Sequence, residues 1–402
     1  MNPVNPVNPL KGSVPLQSRR LGVVQTSVIP IVARWTAETP GTISLGQGIV
    51  SYGPPAESIA AARQFGSSPG DHAYGPVEGL PSLIEAITHK LARDNRITVR
   101  PASRIVVTAG GNQAFLTAII AITDPGDEVI LPAPYYFNHE MAVVMAGGRA
   151  VPVASLPDYQ LDVQAIADAI TPRTRAVVTV SPNNPTGAVY SADALRQVNG
   201  LCRDRGLCHI HDEAYEYFTY EDVTHFSPGC MAGAAGHTIS LYSVSKAYGM
   251  ASWRIGYMVI PEALSEAVNK IQDTLLICPP AVSQHAAAAA LRVGRPYAAA
   301  HLARLDAMRR LIFTALSAPD VPCEPAAVCG AFYYFLRVHS RLDSMALAEA
   351  LIRQHHVATI PGSAFGERSG CSLRISYGAL GPESVAEGLG RLVGGLRSLE
   401  AQ

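Results

Sequence analysis

The chain has 402 residues, of which 48% are hydrophobic and only 16% are charged. A chain of this length and composition can bury a large core, so we expect two domains, or one domain with an appendage. The formal net charge is -1 and there is no long basic run, so neither nucleic acid nor an anionic membrane is indicated as a partner. We therefore expect the protein to act on small molecules.

The cysteines and the apolar runs bear on the compartment. The seven cysteines form no CxxC pair and no dense framework, which is typical of reduced thiols in a reducing compartment. The run HAAAAAL is too short and too weakly apolar to span a bilayer, and the residues after Arg19 and Arg20 do not make a convincing export signal. By elimination, we expect a cytoplasmic protein.

The N-terminal region begins with NPVNPVNPL, a pattern that cannot continue a helix or a central strand. We therefore predict a disordered tail over residues 1–20, followed by an arm or short helix over residues 21–35. The stretch TISLGQGIVSYGPP then predicts a strand that enters a loop rich in Gly and Pro. The pair Gly46 and Gly48 allows either close approach of a ligand to the backbone or simply a turn.

The next stretch, HAYGPVEGLPSLIEAITHKLARD, carries Tyr74, a turn and an amphipathic pattern. The pattern predicts a helix from about Pro81 to Asp94. Read by itself, Tyr74 fits a packed turn tyrosine.

From Arg104 onward, strand and helix patterns alternate, beginning with the strand RIVVT and the helix AFLTAIIAIT. This alternation predicts a mostly parallel sheet covered by helices on both faces, in which ligands bind at the carboxyl ends of the strands. After about residue 262 the pattern changes to helices and then to short strands around FYYFLRV and SLRISYG. We therefore predict an α/β fold, with a large domain over residues 49–275 and a smaller α+β domain from residues 21–48 and 276–402.

Two turns are candidates for binding a phosphate. The strand RIVVT leads to Gly110, Gly111 and Asn112 at the start of a helix, where free backbone N–H groups and the helix dipole favour an anion. A plain tight turn gives the same pattern. Further along, SVSKAYGMASWR supplies the hydroxyl of Ser243 and the guanidinium of Arg254.

Lys246 lies in that second stretch, after the apolar run HTISLYSV. An amine held at a strand end in a low dielectric has a lowered pKa and becomes a nucleophile toward aldehydes. A lysine with phosphate anchors is what pyridoxal phosphate requires. A lysine near an arginine is otherwise usually a solvated surface pair.

Two further strand ends carry polar side chains. SPNNPTG fixes a tight turn, from which the Asn184 amide can donate to a phenolate oxygen and to a carboxylate. The strand LCHIHDEAY ends with Asp212, followed by Tyr215; a buried carboxylate needs a cationic partner, and a protonated pyridine nitrogen is one. His209 and His211 are interpreted as core histidines, because no third ligand at suitable spacing completes a zinc site. We expect no metal.

An aromatic pair and an arginine complete the candidates. In PAPYYFNHE a flat ring could stack on a pyridine, although Tyr135 and Tyr136 can both be core or surface tyrosines. Near the C-terminus, SLRISYG places Arg374 in an apolar strand. An arginine fork suits a carboxylate, and the alternative is a salt bridge between domains.

Three stretches, SVSKAYGMASWRIGY, SPNNPTG and YGPVEGLPSL, resemble the class I/II (fold type I) aminotransferases. The resemblance runs in matching order from about Gly46 to Arg374. It implies an aspartate-aminotransferase-like fold and pyridoxal 5'-phosphate as cofactor. The implied reaction moves an amino group between an L-amino acid and a 2-oxo acid, in a homodimer with shared active sites.

The resemblance also implies the role of each site residue. Lys246 would form the Schiff base and move the α-proton, Asp212 would contact the pyridine nitrogen, and Tyr215 would contact the phenolic oxygen. Tyr136 would stack on the ring, with His139 behind it. The other implied cofactor-binding residues are Gly110, Gly111, Asn112, Asn184, Ser243, Arg254 and the partner subunit's Tyr74. The implied substrate-binding residues are Gly48, Asn184 and Arg374.

Other functions stay open on the sequence. The same scaffold serves carbon–sulfur lyases and aminocyclopropane-carboxylate-synthase-like enzymes, which share the lysine, the aspartate and the arginines. A cofactor-binding regulator would need a DNA-binding module, and the roughly 45 residues before Gly46 are too few and insufficiently basic for one.

The choice of substrate is largely unreadable from the sequence. Aspartate-specific relatives of the animal type place an arginine six residues before a Pro-Pro pair, and counting back from Pro279 and Pro280 gives Asp273. A dicarboxylate would then meet a like charge. This alignment favours an apolar, aromatic or basic side chain.

Overall fold

The computed structural model describes residues 18–99, 102–367 and 370–400. Residues 1–17 of the predicted tail lie outside the described residues, and Arg19 and Arg20 already belong to the first helix. No helix within the described ranges is long and apolar enough to cross a membrane.

The strands of the described residues fall into three sheets. In chain order they are β1 (Ile43–Ser44), β2 (Ser103–Thr108), β3 (Glu128–Ala133), β4 (Arg149–Ala154), β5 (Thr174–Val180), β6 (Cys208–Asp212), β7 (Thr238–Ser243), β8 (Gly256–Pro261), β9 (Cys323–Pro325), β10 (Tyr333–Val338), β11 (Val357–Ala358), β12 (Ile360–Pro361) and β13 (Cys371–Ser376).

The helices alternate with the strands in the first part of the chain and then dominate. In chain order they are α1 (Arg19–Val23), α2 (Val28–Glu38), α3 (Ala56–Gln64), α4 (Pro81–Lys90), α5 (Gly111–Ile122), α6 (Phe137–Met145), α7 (Val163–Asp168), α8 (Ala192–Arg205), α9 (Val244–Ala247), α10 (Ser265–Leu275), α11 (Ala281–Val293), α12 (Arg295–Leu316), α13 (Ser344–His355) and α14 (Pro382–Glu400). The helix predicted from about Pro81 is confirmed, since α4 continues into a π-helical turn over Leu91–Asn95.

The large sheet has seven strands in the order β2-β8-β7-β6-β5-β3-β4. Strand β8 runs antiparallel to both of its neighbours, and the remaining pairs are parallel. The predicted mostly parallel sheet is therefore confirmed. The carboxyl ends of β5, β6 and β7 lie side by side at one edge, and the segments that follow them carry Asn184, Asp212 and Lys246.

Helices cover both faces of this sheet. Along β8, Tyr257 packs in one apolar cluster with residues of α4 and α11, while the next residue, Met258, packs in another with residues of α5 and α6. Successive side chains of a strand point to opposite faces, so both faces are buried. The result is the three-layer arrangement that the sequence pattern predicts.

A smaller antiparallel sheet, β12-β13-β10-β9, forms the second part of the molecule together with α12, α13 and α14. The N-terminal region joins it, because β1 pairs in parallel with β11, Ile43 opposite Val357. Helix α2 also packs against α13 and β12. The chain thus places α2 and β13 across from the carboxyl edge of the large sheet.

Candidate active site

A cavity of about 470 Å³ opens at the carboxyl ends of β5, β6 and β7. Asn184, Asp212 and Lys246 line it from the large sheet, and Arg374 lines it from β13. One face of α2 lines it from the N-terminal region. A cavity between two parts of a chain, with a few convergent polar groups, is a common setting for an active site.

Lys246 lies one residue short of the end of α9, directly after β7. The helix begins at the strand end because the Ser243 Oγ accepts a hydrogen bond from the Ser245 backbone N–H at 3.1 Å. The Lys246 Nζ donates to the Gly48 carbonyl oxygen at 2.5 Å. Burial, together with the positive charges of Arg374 and Arg254, lowers the pKa of Lys246 to about 8. About a tenth of the amine is therefore neutral at pH 7, far more than for an ordinary lysine, and able to act as a nucleophile.

Asp212 occupies the last position of β6 and is 8% exposed. Its Oδ1 accepts a hydrogen bond from the Ala214 backbone N–H at 3.0 Å, and its Oδ2 lies 3.2 Å from the His139 Nε2. The His139 ring stacks on Phe115, with 3.9 Å between the ring centroids. These contacts hold the carboxylate in one orientation while it lines the cavity.

Asn184 and two tyrosines form a hydrogen-bonded chain beside the carboxylate. The Asn184 Nδ2 donates to the Tyr215 hydroxyl at 3.3 Å, and the Tyr215 hydroxyl lies 2.8 Å from the Tyr333 hydroxyl. Burial raises the pKa of Tyr215 well above its ordinary value and that of Tyr333 to about 12. Both phenols therefore keep their protons; one proton is used within the pair, and the hydroxyl that accepts there can donate a hydrogen bond to a ligand.

Arg374 lies in the middle of β13 and is 2% exposed. Its Nη1 donates to the Asn184 Oδ1 at 3.0 Å and its Nη2 donates to the Gly46 carbonyl at 2.7 Å. The buried Nε has no hydrogen-bond partner among the described residues, and within the same residues no carboxylate pairs with this guanidinium. An unpaired buried cation beside a cavity is suited to an anionic ligand.

The turn after β2 and the Arg254 side chain come together at one end of the cavity. Gly110 precedes α5 with a φ of +83°, and a Cβ at this position would collide with the Arg254 guanidinium. Arg254 itself is left-handed, with a φ of +53°, and its Nη2 donates to the Ala109 carbonyl at 3.2 Å. Gly111 and Asn112 begin α5 at the cavity. The N-terminus of α5, Arg254 and Ser243 thus line the same cavity.

Tyr136, Tyr74 and Tyr135 lie in different places. Tyr136 lines the cavity, accepts a hydrogen bond from Asn138 Nδ2 at 2.8 Å, and meets His139 edge-on at 5.2 Å between centroids. Tyr74 is 82% exposed and does not line the cavity of its own chain. Tyr135 is buried outside the cavity, against Gly366.

The histidines of β6 are core residues with polar partners. Thr179 Oγ1 lies 2.8 Å from His209 Nε2 and 2.6 Å from His211 Nδ1. The fold also brings Glu213 and His225 close to His211, with potential metal-ligating atoms within 4.8 Å of one another. The spacing of residues within β6 does not reveal this cluster.

Glu213 is already saturated by protein donors. Its Oε1 accepts from the Tyr242 hydroxyl at 2.7 Å, and its Oε2 accepts from His225 Nε2 at 2.7 Å, from Asn95 Nδ2 at 3.3 Å and from Ser227. Burial raises the pKa of Glu213, but His225 and Ser227 outweigh it and lower the pKa to about 2. We interpret the group as a buried polar network under the site.

Sequence reasoning missed several lining residues. Tyr333 was only part of a predicted strand, and nothing in FYYFLRV indicates that its hydroxyl meets Tyr215. The α2 face was predicted only as an arm or short helix. A signal was present there, since its lining residues recur at helical spacing: Ile29, Val32, Ala33, Thr36 and Ala37.

Residues 40–392 match the family model of the aminotransferases of class I and II. The chain belongs to this family. It is therefore an aminotransferase, an enzyme that moves an amino group between an amino acid and an oxo acid.

Individual relatives cover nearly the whole chain. The aspartate aminotransferase of Pyrococcus abyssi is 34% identical over 380 residues, 93% of this chain and 97% of that protein. An aromatic aminotransferase of Arabidopsis thaliana is 32% identical over 398 residues, 96% of this chain and 98% of that protein. The two names attach to different substrate classes, so they do not decide the substrate here.

Solved structures confirm the fold. The Thermus thermophilus aspartate aminotransferase with maleate matches this aminotransferase with a TM-score of 0.85 at 31% identity, covering 94% of this chain and 99% of that chain. A Pyrococcus protein matches with a TM-score of 0.89 at 33% identity, covering 94% and 98%. The predicted fold type I architecture is confirmed.

Proposed function

We propose that this aminotransferase holds pyridoxal 5'-phosphate in the cavity, with Lys246 as the residue that binds it covalently. When bound, this cofactor supplies an electron sink for the bond broken at the substrate's α-carbon. The observation that carries the proposal is the meeting of a buried amine of lowered pKa, a buried carboxylate and a buried arginine in one cavity.

The donor set at one end of the cavity fits a phosphate. Backbone N–H groups of Gly111 and Asn112 lie in the first turn of α5, where the helix dipole favours an anion. The Arg254 guanidinium and the Ser243 hydroxyl supply further donors beside Gly110. These five residues would hold the phosphate group.

The middle of the cavity fits a flat, protonated heterocycle. Asp212 would pair with its ring nitrogen, because a buried carboxylate is stabilised by a cation in contact with it. Tyr136 offers an aromatic ring for stacking. Asn184 and Tyr215 would donate hydrogen bonds to its phenolic oxygen.

The substrate's α-carboxylate would bind to Arg374 and Asn184. The fork geometry of the buried Arg374 guanidinium suits this group. The Gly48 carbonyl, which accepts from Lys246 Nζ, borders the same space. Lys246 would take the α-proton as a general base and return it as a general acid, a role for which a pKa of about 8 is well placed.

We further propose a homodimer in which the partner subunit's Tyr74 completes the site. The 82% exposure of a large aromatic side chain supports a contact outside its own chain. The division into a domain over residues 49–275 and another from residues 21–48 and 276–402 is supported by the pairing of β1 with β11. A cytoplasmic location is supported by seven free cysteines.

The test is a half-reaction of the purified protein loaded with pyridoxal 5'-phosphate. Single amino acids are added, and the small-molecule products are identified by mass spectrometry. Release of a 2-oxo acid in amounts equal to the protein supports transamination. An eliminated or cyclised product would instead place the chain with the lyases and cyclases on this scaffold. Lys246→Ala serves as the control that releases no product.

A further inference from the structure

We propose that the amino donor of this enzyme carries an uncharged, apolar side chain, and that this side chain packs against one face of α2. The inference rests on the proposed function and deepens it, because it assigns the part of the same cavity that receives the substrate's side chain.

Helix α2 turns a continuous apolar face to the cavity. The lining positions are separated by three, four, seven and eight residues, which is the spacing of one helix face. The only hydroxyl on this face belongs to Thr36, and it donates to the Val32 carbonyl at 2.8 Å within the helix. The face therefore offers hydrocarbon and no free donor for a carboxylate: Ile29, Val32, Ala33, Thr36 and Ala37.

Two further apolar side chains, from other elements, extend the apolar surface formed by the α2 face. Phe137, at the start of α6, is 6% exposed, and Ile360, in β12, is 2% exposed. Phe137 also meets Phe365 edge-on, with 5.5 Å between the centroids. Because α2, α6 and β12 each contribute apolar groups, an apolar ligand side chain would lose contact with water on several sides.

The charged residues that line the cavity are already engaged in the proposed function. They are Asp212, Lys246, Arg254 and Arg374, which serve the ring nitrogen, the covalent link, the phosphate and the α-carboxylate. A second carboxylate on the substrate would therefore find no cation among the described lining residues of this subunit. An unpaired charge in such surroundings is costly.

Asp273 does not add a charge to the cavity of its own chain. It is exposed in the last turn of α10 and does not line the cavity. The sequence leaves apolar, aromatic and basic side chains open, and the α2 face offers no carboxylate that would favour the basic ones.

The first experiment compares amino acids of matched shape as donors to the enzyme loaded with cofactor. L-Leucine is paired with L-aspartate, and L-methionine with L-glutamate, and kcat/KM is measured for each half-reaction. We expect the apolar member of each pair to react about 100-fold better, because a carboxylate without a partner group is strongly rejected. Equal or faster reaction of the acidic member would overturn the inference and leave the proposed function standing.

A second experiment measures binding without turnover. 4-Methylpentanoate and succinate, which lack the amino group, are titrated into the loaded enzyme by calorimetry. We expect 4-methylpentanoate to bind about tenfold more tightly or better. This result supports the inference even if no amino acid reacts, whereas tighter binding of succinate overturns it.

A third experiment alters the α2 face itself. Ala33 is exposed within the cavity, so Ala33→Arg places a cation there with little strain, and Ala33→Met is the uncharged control of similar length. We expect the arginine variant to raise the aspartate-to-leucine ratio of kcat/KM about tenfold over the methionine variant. Arg34→Met, one residue further and outside the cavity, should leave the ratio unchanged. Equal ratios in the two Ala33 variants would place the substrate side chain elsewhere.

Discussion

Two sides of the cavity, which we call the strand-end wall and the helix wall, are built by different kinds of structure. On one side, Asn184, Asp212 and Lys246 follow the ends of adjacent strands and are fixed by hydrogen bonds. On the other side, α2 contributes an apolar face in which Ala33 and Ala37 are exposed. Catalysis requires polar groups that are held in one geometry. Discrimination between substrate side chains requires only a pocket of suitable shape that offers no partner for the rejected side chain. Changes in the strand-end wall should therefore affect every substrate alike, and changes in the helix wall should affect the choice among substrates.

The largest effect is expected for Lys246→Ala, in the strand-end wall. Removing the amine that both binds the cofactor and moves the proton should lower kcat by about 10⁴-fold or more, equally for leucine and aspartate. The rate is measured as release of 2-oxo acid. Lys270→Ala removes an exposed lysine outside the cavity and should keep full activity. A Lys246→Ala enzyme that retains more than a small fraction of the rate would contradict the role of Lys246 in catalysis.

Asp212→Asn keeps the shape of the side chain but removes its charge. We expect kcat to fall about 10²- to 10³-fold for every amino acid, because the ring nitrogen loses the carboxylate that keeps it protonated, and an unprotonated ring accepts electrons less well. Cofactor content, measured by absorbance after denaturation, should fall much less. Asp204→Asn, an exposed residue of α8, is the matched control. Undiminished turnover would contradict the ion-pair role of Asp212.

The pH dependence of cofactor capture tests the lowered pKa of Lys246. The neutral amine is the reactive form, so in the cofactor-free protein the capture rate should rise about 50-fold between pH 6 and pH 8 and level off above the pKa of about 8. Stopped-flow absorbance follows the reaction. A rate that keeps rising toward pH 10.5, the ordinary lysine value, would show that the amine is not perturbed by burial or by Arg374 and Arg254.

The smallest effect is expected for Val32→Ala, in the helix wall. Val32 is 4% exposed, and its truncation should lower kcat/KM for leucine by about 3- to 10-fold and the free energy of unfolding by about 1–3 kcal/mol. Cofactor content should not change. Val23→Ala, at a position that is 72% exposed in α1, controls for the substitution. An equal loss of kcat/KM for leucine and aspartate would contradict the claim that the helix wall affects the choice among substrates.

The strand-end wall was readable from the sequence because each residue lies in a short segment with its own local pattern. An apolar strand followed by Asn-Pro, by Asp, or by Ser-x-x-Lys predicts the polar group and its place at the sheet edge together. The antiparallel direction of β8 was not readable, since a buried strand shows the same apolar pattern in either direction.

Contacts between distant segments could not be predicted. The Tyr215 and Tyr333 hydroxyls meet across 118 positions, and Glu213 meets His225 only because the loop after β6 folds back beneath the site. Both depend on tertiary packing that no local pattern encodes. The helical spacing of the α2 face was visible, but its orientation toward the cavity follows from its packing on α13 and β12.

The most direct test of the account is to identify the residue that binds the cofactor. The unmodified protein is loaded with pyridoxal 5'-phosphate, reduced with borohydride, digested and analysed by mass spectrometry. We expect one stable adduct, on Lys246, which does not form when a reactive amino acid is added before the reduction. An adduct on Lys90 or Lys270, or none at all, would contradict the central claim that the cavity beside Asp212 and Arg374 is the active site.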